Sequence, residues 1–143
     1  MADVETLDEW LDKVKAEACF MHSFEVVFPR SGKECGNCNE WLEKISSKMS
    51  EIGVFGGTTE WDAHGCWFSK DDNRKICEPV RIITSGHNCS DKASLKGLID
   101  LIKKAGEETH QSTIAMKGTN KFVIAKPEHI NFIKETSLKR FLE

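Results

Sequence analysis

The chain has 143 residues, of which 39% are hydrophobic and 30% charged, and its formal net charge is −3. A chain of this length and composition can bury a core without a metal or disulfides, and its charges are mixed instead of forming the basic stripe typical of nucleic-acid binding. No apolar run approaches the roughly 18 residues of a membrane span, and the acidic N-terminus does not resemble a signal peptide. We therefore expect one cytoplasmic domain over 1–143, with neither a nucleic acid nor a membrane as partner.

The first segment, 1–19, is predicted to form an amphipathic helix, because apolar residues recur at helical spacing and Thr6 and Glu9 have the T-x-x-E spacing of a capping box. From Phe20 to Phe28 the apolar residues alternate, which is typical of a half-buried strand. A second helix is predicted from about Asn39 to a stop at Gly53.

Two hairpins and two further helices are predicted in the rest of the chain. Segments 56–67 and 76–84 are read as strands joined by the polar turn 70–75, which makes an antiparallel hairpin. A third helix is expected between Ser90 and Gly106, followed by a hairpin over 113–125. Pro127 then suits the first turn of a C-terminal helix, 127–143.

The order of these elements over 20–126 is β-α-β-β-α-β-β. Its first six members form the split β-α-β-β-α-β unit of ferredoxin-like folds, with one sheet and both helices on one face. The predicted class is therefore α+β, with a ferredoxin-like core, an extra C-terminal hairpin strand, and N- and C-terminal helices.

The strand around residues 59–67 separates its side chains into two phases. Trp61 and Trp67 share the apolar phase, which is expected to face the core. Glu60, Asp62 and His64 would then project from the face that the helices leave open.

Neighbouring strands are expected to add Glu25 and Arg81 to that open face, so that five ionisable groups share it. Such groups can bind a metal or a ligand, or do acid–base work. The same alternation also fits an ordinary solvated sheet face with cross-strand ion pairs. Gly65 marks either a bulge, which would break the phase, or a close backbone approach.

Six cysteines in a cytoplasmic chain are expected to be free thiols or metal ligands. Cys35 and Cys38 form a C-x-x-C directly before a helix, where a thiol pKa falls, and this favours a thiol-redox role. A zinc site and ordinary packed thiols are the alternatives. Further zinc ligands would come from Cys66, Cys77, Cys89, His64 or His87.

Four segments carry a resemblance to a known family: Ser23–Phe28, the G-x-T…D-A-x-G-x-W strand with Gly57, Thr58, Asp62, Ala63, Gly65 and Trp67, the strand Glu78–Ile83, and the Q-x-S-[VI] strand with Gln111, Ser112 and Ile114. Over roughly 20–125 the chain resembles a family of small uncharacterised proteins from bacteria and phages. Its layout is also similar to trimeric ferredoxin-like signalling and metal-tolerance proteins, which bind nucleotides or metals between subunits. The resemblance implies the fold and supplies no activity.

The sequence contains no complete catalytic motif, so the leading hypothesis is a binding or regulatory module that self-associates through its sheet. A homo-oligomer or another protein is the expected partner, and the open face leaves room for a small ligand. The alternative is a metal-binding or thiol-redox protein that uses Cys35 and Cys38, or the face with Glu60, Asp62 and His64. Zinc is the cofactor that this alternative allows, and the sequence does not decide whether the protein is an enzyme.

Overall fold

The computed structural model describes residues 21–30, 36–52, 57–88, 92–118 and 122–130, together with residues 6, 8, 9 and 141. Within these residues no helix is long and apolar enough to cross a membrane. The described elements, in chain order, are β1 (Met21–Pro29), α1 (Cys38–Ile52), β2 (Thr59–Ser69), β3 (Arg74–Asn88), α2 (Lys92–Glu108), β4 (Ile114–Lys117), β5 (Phe122–Ala125) and a 3-10 turn (Pro127–His129). The predicted α+β class is confirmed, and the described elements from β1 to β5 follow the order β-α-β-β-α-β-β.

The five strands form one antiparallel sheet in the order β2-β3-β1-β4-β5. β1 lies in the middle, between β3 and β4, and β2 and β5 are the two edges. Consecutive hairpin strands are neighbours, whereas the connections from β1 to β2 and from β3 to β4 run through the helices. Both helices pack on the same face, since their buried residues join the inward residues of β1 in one core cluster.

Alternation in β1 and helical spacing in α1 and α2 place the core where the sequence predicts it. The buried side chains of these elements include Phe24, Val26 and Phe28 of β1, Trp41, Leu42, Ile45 and Met49 of α1, and Leu95, Leu98, Ile99 and Ile102 of α2. Each large apolar side chain that leaves water contributes about 1.5–3 kcal/mol, so this layer between helices and sheet holds the fold together.

The predicted capping box near the N-terminus is present. The Glu9 amide donates to Thr6 Oγ1 at 3.2 Å, and the Thr6 amide donates to Glu9 Oε2 at 3.3 Å. Asp8 and Glu9 are helical, and at the predicted start of the C-terminal helix Pro127–His129 form a 3-10 turn followed by an extended Ile130. Of residues 131–143 only Phe141, which is helical, is described; the rest of the two predicted terminal helices lies outside the described residues, as do the predicted cap Ser90 and the predicted stop Gly53. The Phe141 ring meets the Phe24 ring edge-on at 6.0 Å between centroids.

Helix α2 does not end at Gly106, as predicted, but continues to Glu108. The left-handed residue that follows it is His110, with φ 55°. Gly106 lies within the last turn because this turn packs against β4 and the 3-10 turn. A β-carbon at residue 106 would collide with Ile114 and approach the Pro127 ring to 2.9 Å. The glycine therefore serves close packing and does not stop the helix.

Two glycines of α2 should respond to alanine in opposite ways. Gly106→Ala should lower the free energy of unfolding by about 1–3 kcal/mol, because it overpacks the contact with Ile114 and Pro127. Gly97→Ala should raise it by about 0.5–1 kcal/mol, because Gly97 is exposed with nothing within 4 Å of an added β-carbon. Urea denaturation measures both values. A stabilising Gly106→Ala would contradict the packing of α2 against β4.

Candidate functional site

The strand register decides which face of the sheet each side chain of β2 occupies, because opposed residues of an antiparallel pair point to the same face. Phe28, in the core, opposes Arg81, and Arg81 opposes Asp62. Asp62 therefore points to the helix face of the sheet. Glu60 and His64, two residues away on either side, share that face.

Trp61 and Trp67 lie on the opposite, open face and are 43% and 48% exposed. The expected separation of the tryptophans from the acids is present, but its assignment to the two faces is wrong. β2 is an edge strand, and most of its side chains are exposed on both faces. Apolar content therefore does not report which face of this strand the helices cover.

No bulge interrupts β2, since its pairing with β3 is continuous from Thr59 to Ser69. Gly65 makes room for a neighbouring side chain, and no backbone atom of the described residues lies close to it as the alternative prediction expected. A β-carbon at residue 65 would lie 3.1 Å from Val80 Cγ1, so the Val80 side chain occupies the space that glycine leaves.

The acids of β2 on the helix face form a structural cluster. Arg81 Nε donates to Asp62 Oδ1 at 2.9 Å, and Arg30 Nε lies 3.4 Å from the same oxygen. The hydrogen bond from Arg81 is the main cause that holds the pKa of Asp62 below its ordinary value; desolvation opposes it, and the charges of Arg30 and Arg81 add to the lowering. Ser46 Oγ of α1 donates to Glu60 Oε2 at 3.0 Å. These contacts connect the edge strand to β1, β3 and α1.

Glu25 lies on the open face, opposite Thr84 and Lys117, so the predicted cluster of five ionisable groups does not form. Arg81 joins Asp62, but on the helix face. Among the described residues no group of three or more His, Cys, Asp and Glu side chains is arranged to hold a metal ion.

Cys66 and Cys77 face each other across the β2–β3 hairpin and form a disulfide. Cys38 is 1% exposed and is also disulfide-bonded. The prediction that these cysteines are free thiols or metal ligands is therefore wrong. The pairing of Cys66 with Cys77 depends on the hairpin register, which spacing alone does not reveal. Cys35 and Cys89 lie outside the described residues, and of His87 only the backbone in β3 is described.

The open face of the sheet is mostly apolar, and of the five exposed large hydrophobic residues in the described part of the chain, four lie on it. Phe122 and Ile124 of β5 are 57% and 64% exposed, and Phe68 on the helix face is the exception at 60%. The apolar side chains that the register assigns to the open face are Val27, Trp61, Ala63, Trp67, Ile76, Val80, Ile82, Ala115, Phe122 and Ile124. Contiguous exposed surfaces of this kind mark interaction sites.

One carboxyl group, that of Glu78, lies within this apolar surface. Glu78 opposes Gly65, and Ala63 and Trp67 flank Gly65 on the same face; we call these four residues the Glu78 patch. Burial raises the pKa of Glu78 above its ordinary value, because desolvation disfavours the charged form. A carboxyl group with a raised pKa beside an aromatic ring is a candidate for ligand binding.

In the sequence, Glu78 belongs to a strand that resembles a known family, but no pattern predicts it as a site residue. The signal that could have found it is its phase in β3. It shares the phase of Val80 and Ile82, so it is an acid among apolar neighbours.

The fold resembles two structures of a phage SAM lyase (SAM is S-adenosylmethionine). The complex with S-methyl-5'-thioadenosine has a TM-score of 0.50 and 12% identity, over 78% of this chain and 92% of that chain. The apo form has a TM-score of 0.51 and 12% identity, over 87% of this chain and 96% of that chain. The B. subtilis GlnK–ATP complex has a TM-score of 0.44 and 17% identity, over 74% and 81% of the two chains. No protein-family model and no curated protein matches. At such identities the lyase structures show a shared fold alone.

Glu78 and Asp62 should give stability opposite dependences on pH. Because the pKa of Glu78 is raised in the folded protein, its contribution to the free energy of unfolding is present at pH values below its ordinary pKa. That contribution is lost as pH rises through the pKa of the folded state. The lowered pKa of Asp62 means that its contribution is present above the ordinary value and lost as pH falls. Compared with Glu78→Gln, the wild type should have a free energy of unfolding that falls as pH rises above about 4.5. Compared with Asp62→Asn, it should have a free energy of unfolding that rises as pH rises toward about 4. Urea denaturation at several pH values checks both signs, and equal slopes would contradict them.

Proposed function

We propose that this protein is a self-associating binding module with a ferredoxin-like fold, and that the open face of its sheet forms the contact between copies. The strand order, with β1 between β3 and β4, supports the fold assignment, and β5 extends the sheet beyond β4. The observation that carries the proposal is the concentration of exposed Trp61, Trp67, Phe122 and Ile124 on one face.

The charges on the open face favour a second copy of the chain as its occupant. Glu25 and Lys117 are opposed at the middle of the sheet, on β1 and β4. A two-fold axis through this point brings Glu25 of one copy against Lys117 of the other, while the apolar residues meet around them. Five strands of 4 to 15 residues, with a rise of about 3.3 Å per residue and a spacing of about 4.8 Å, present about 700 Å² per copy, or about 1,400 Å² in total, which lies within the range for a specific interface.

Two lysine substitutions of equally exposed residues test the association. Ile124→Lys should weaken it at least about tenfold, because a charge would enter the apolar contact. Phe68→Lys, matched in exposure but on the helix face, should leave it within about twofold. Sedimentation equilibrium over a range of concentrations measures both. A wild-type monomer at high concentration, or equal effects of the two substitutions, would contradict the proposal.

A second candidate function is binding and cleavage of SAM at the Glu78 patch. The likeness in fold to the phage SAM lyase, over 92% and 96% of those chains, favours it. The chemistry of the patch favours it independently. SAM carries a sulfonium cation, and both a carboxylate and an indole ring attract a cation. Glu78 and Trp67 place these two groups side by side on the open face, and a bound cation would favour the ionised form of Glu78.

Incubation with SAM, followed by mass spectrometry for S-methyl-5'-thioadenosine, tests this candidate. Glu78→Gln should lower product formation at least about 100-fold, because it removes the negative charge from the patch. Glu60→Gln, on the helix face, should retain activity within about threefold. Calorimetry with SAM reports binding separately from cleavage. Neither binding nor product, or an unaffected Glu78→Gln, would remove the patch from consideration and leave the test of self-association unchanged.

A further inference from the structure

The Cys66–Cys77 disulfide lies at the same place in the hairpin as the Glu78 patch, but on the other face of the sheet. Cys66 stands between Gly65 and Trp67, and Cys77 directly precedes Glu78. The two Cα atoms are 4.1 Å apart, the close spacing of a non-hydrogen-bonded pair. The disulfide is therefore the direct link between the two strands at this rung.

Both cysteines are exposed, and the register places a lysine on the same face of the hairpin, two residue pairs away. Lys75, two residues before Cys77 on the same face, is exposed and positively charged, and His64 lies two residues before Cys66 on that face. Of the acids in the adjoining turn, Asp72 accepts a hydrogen bond at Oδ2 from the Ser69 hydroxyl at 3.5 Å. A positive neighbour stabilises both the attacking thiolate and the thiolate that leaves.

We propose that Cys66–Cys77 is a thiol–disulfide exchange site, and that its reduction loosens the β2–β3 rungs that position Glu78 and Trp67. A thiolate of the glutathione class bonds to Cys66 Sγ, the disulfide bond breaks, and its electron pair leaves on Cys77 Sγ beside Lys75, where a proton is taken up. A second external thiolate attacks the mixed disulfide, and the Cys66 thiolate leaves and is protonated. Two external thiols are thereby oxidised to one disulfide, and the protein disulfide is reduced to two thiols.

The position of β2 gives this exchange a structural consequence. β2 pairs with β3 alone and is exposed along most of its length, so little packing replaces the covalent link. The contacts of Asp62 with Arg30 and Arg81 lie toward the other end of the strand. Loss of the disulfide therefore weakens first the β2–β3 pairing between Gly65 and Trp67, where the Glu78 patch lies.

Thiol labelling of the native wild-type protein tests the exchange. The protein is equilibrated in buffers of stepped reduced-to-oxidised glutathione ratio, quenched with acid and alkylated, and its peptides are mapped by mass spectrometry. Cys66 and Cys77 should become labelled together while circular dichroism still reports a folded chain, and buried Cys38 should stay protected. Labelling that begins only with unfolding, or together with Cys38, would overturn the proposal.

Amide hydrogen exchange tests the structural consequence. After reduction, and in a Cys66→Ser/Cys77→Ser variant, the amides of Gly65, Trp67, Ile76 and Glu78, which face the partner strand on either side of the disulfide, should exchange at least about tenfold faster, while those of β1 stay unchanged. Equal rates in the oxidised and reduced protein would overturn the loosening. Neither measurement needs a ligand, so both stand or fail apart from the SAM experiment.

Discussion

The register between β2 and β3 is the constraint on which the two faces of the edge strand, the disulfide and the Glu78 patch depend. It is continuous over the whole of β2, and it sets Asp62 against Arg81, Cys66 against Cys77, and Gly65 against Glu78. A slip of one residue would exchange the two faces of the edge strand and separate all of these pairs. The register is secured by side chains, since the arginines on Asp62, Ser46 on Glu60 and the disulfide all act on β2 itself.

The two faces of the sheet consequently have different physical characters. On the helix face, Asp62 pairs with two arginines and Glu60 accepts a hydrogen bond from Ser46, so these acids attach the edge strand to the elements beside it. On the open face, apolar side chains surround a carboxyl group whose pKa is raised by desolvation. Polar groups that satisfy one another suit a structural role, whereas an isolated acid in an apolar surface suits recognition. The face that carries the tryptophans is therefore the better candidate for a binding surface.

Sequence patterns predicted those elements in which one periodicity coincides with burial. The apolar stripes of α1 and α2 and the alternation in β1 are present, because each belongs to a covered face. The capping box of Thr6 and Glu9 is present because it follows from local helix geometry. The edge strand was predicted, but the assignment of its side chains to the two faces was wrong, because its exposure on both faces removes the link between apolar phase and core. The Cys66–Cys77 pair and the surroundings of Glu78 escaped as well, since both depend on which residue of β3 opposes which residue of β2.

The assignment of the faces is tested most directly by hydroxyl-radical footprinting of the side chains. The protein is compared at concentrations below and above that at which it associates. If the open face is the contact surface, the oxidation of Trp61, Trp67, Phe122 and Ile124 should fall together on association, while Phe68 stays as reactive as before. Protection of Phe68 with continued reactivity of the two tryptophans would contradict the account, because it would place the contact on the helix side of the sheet.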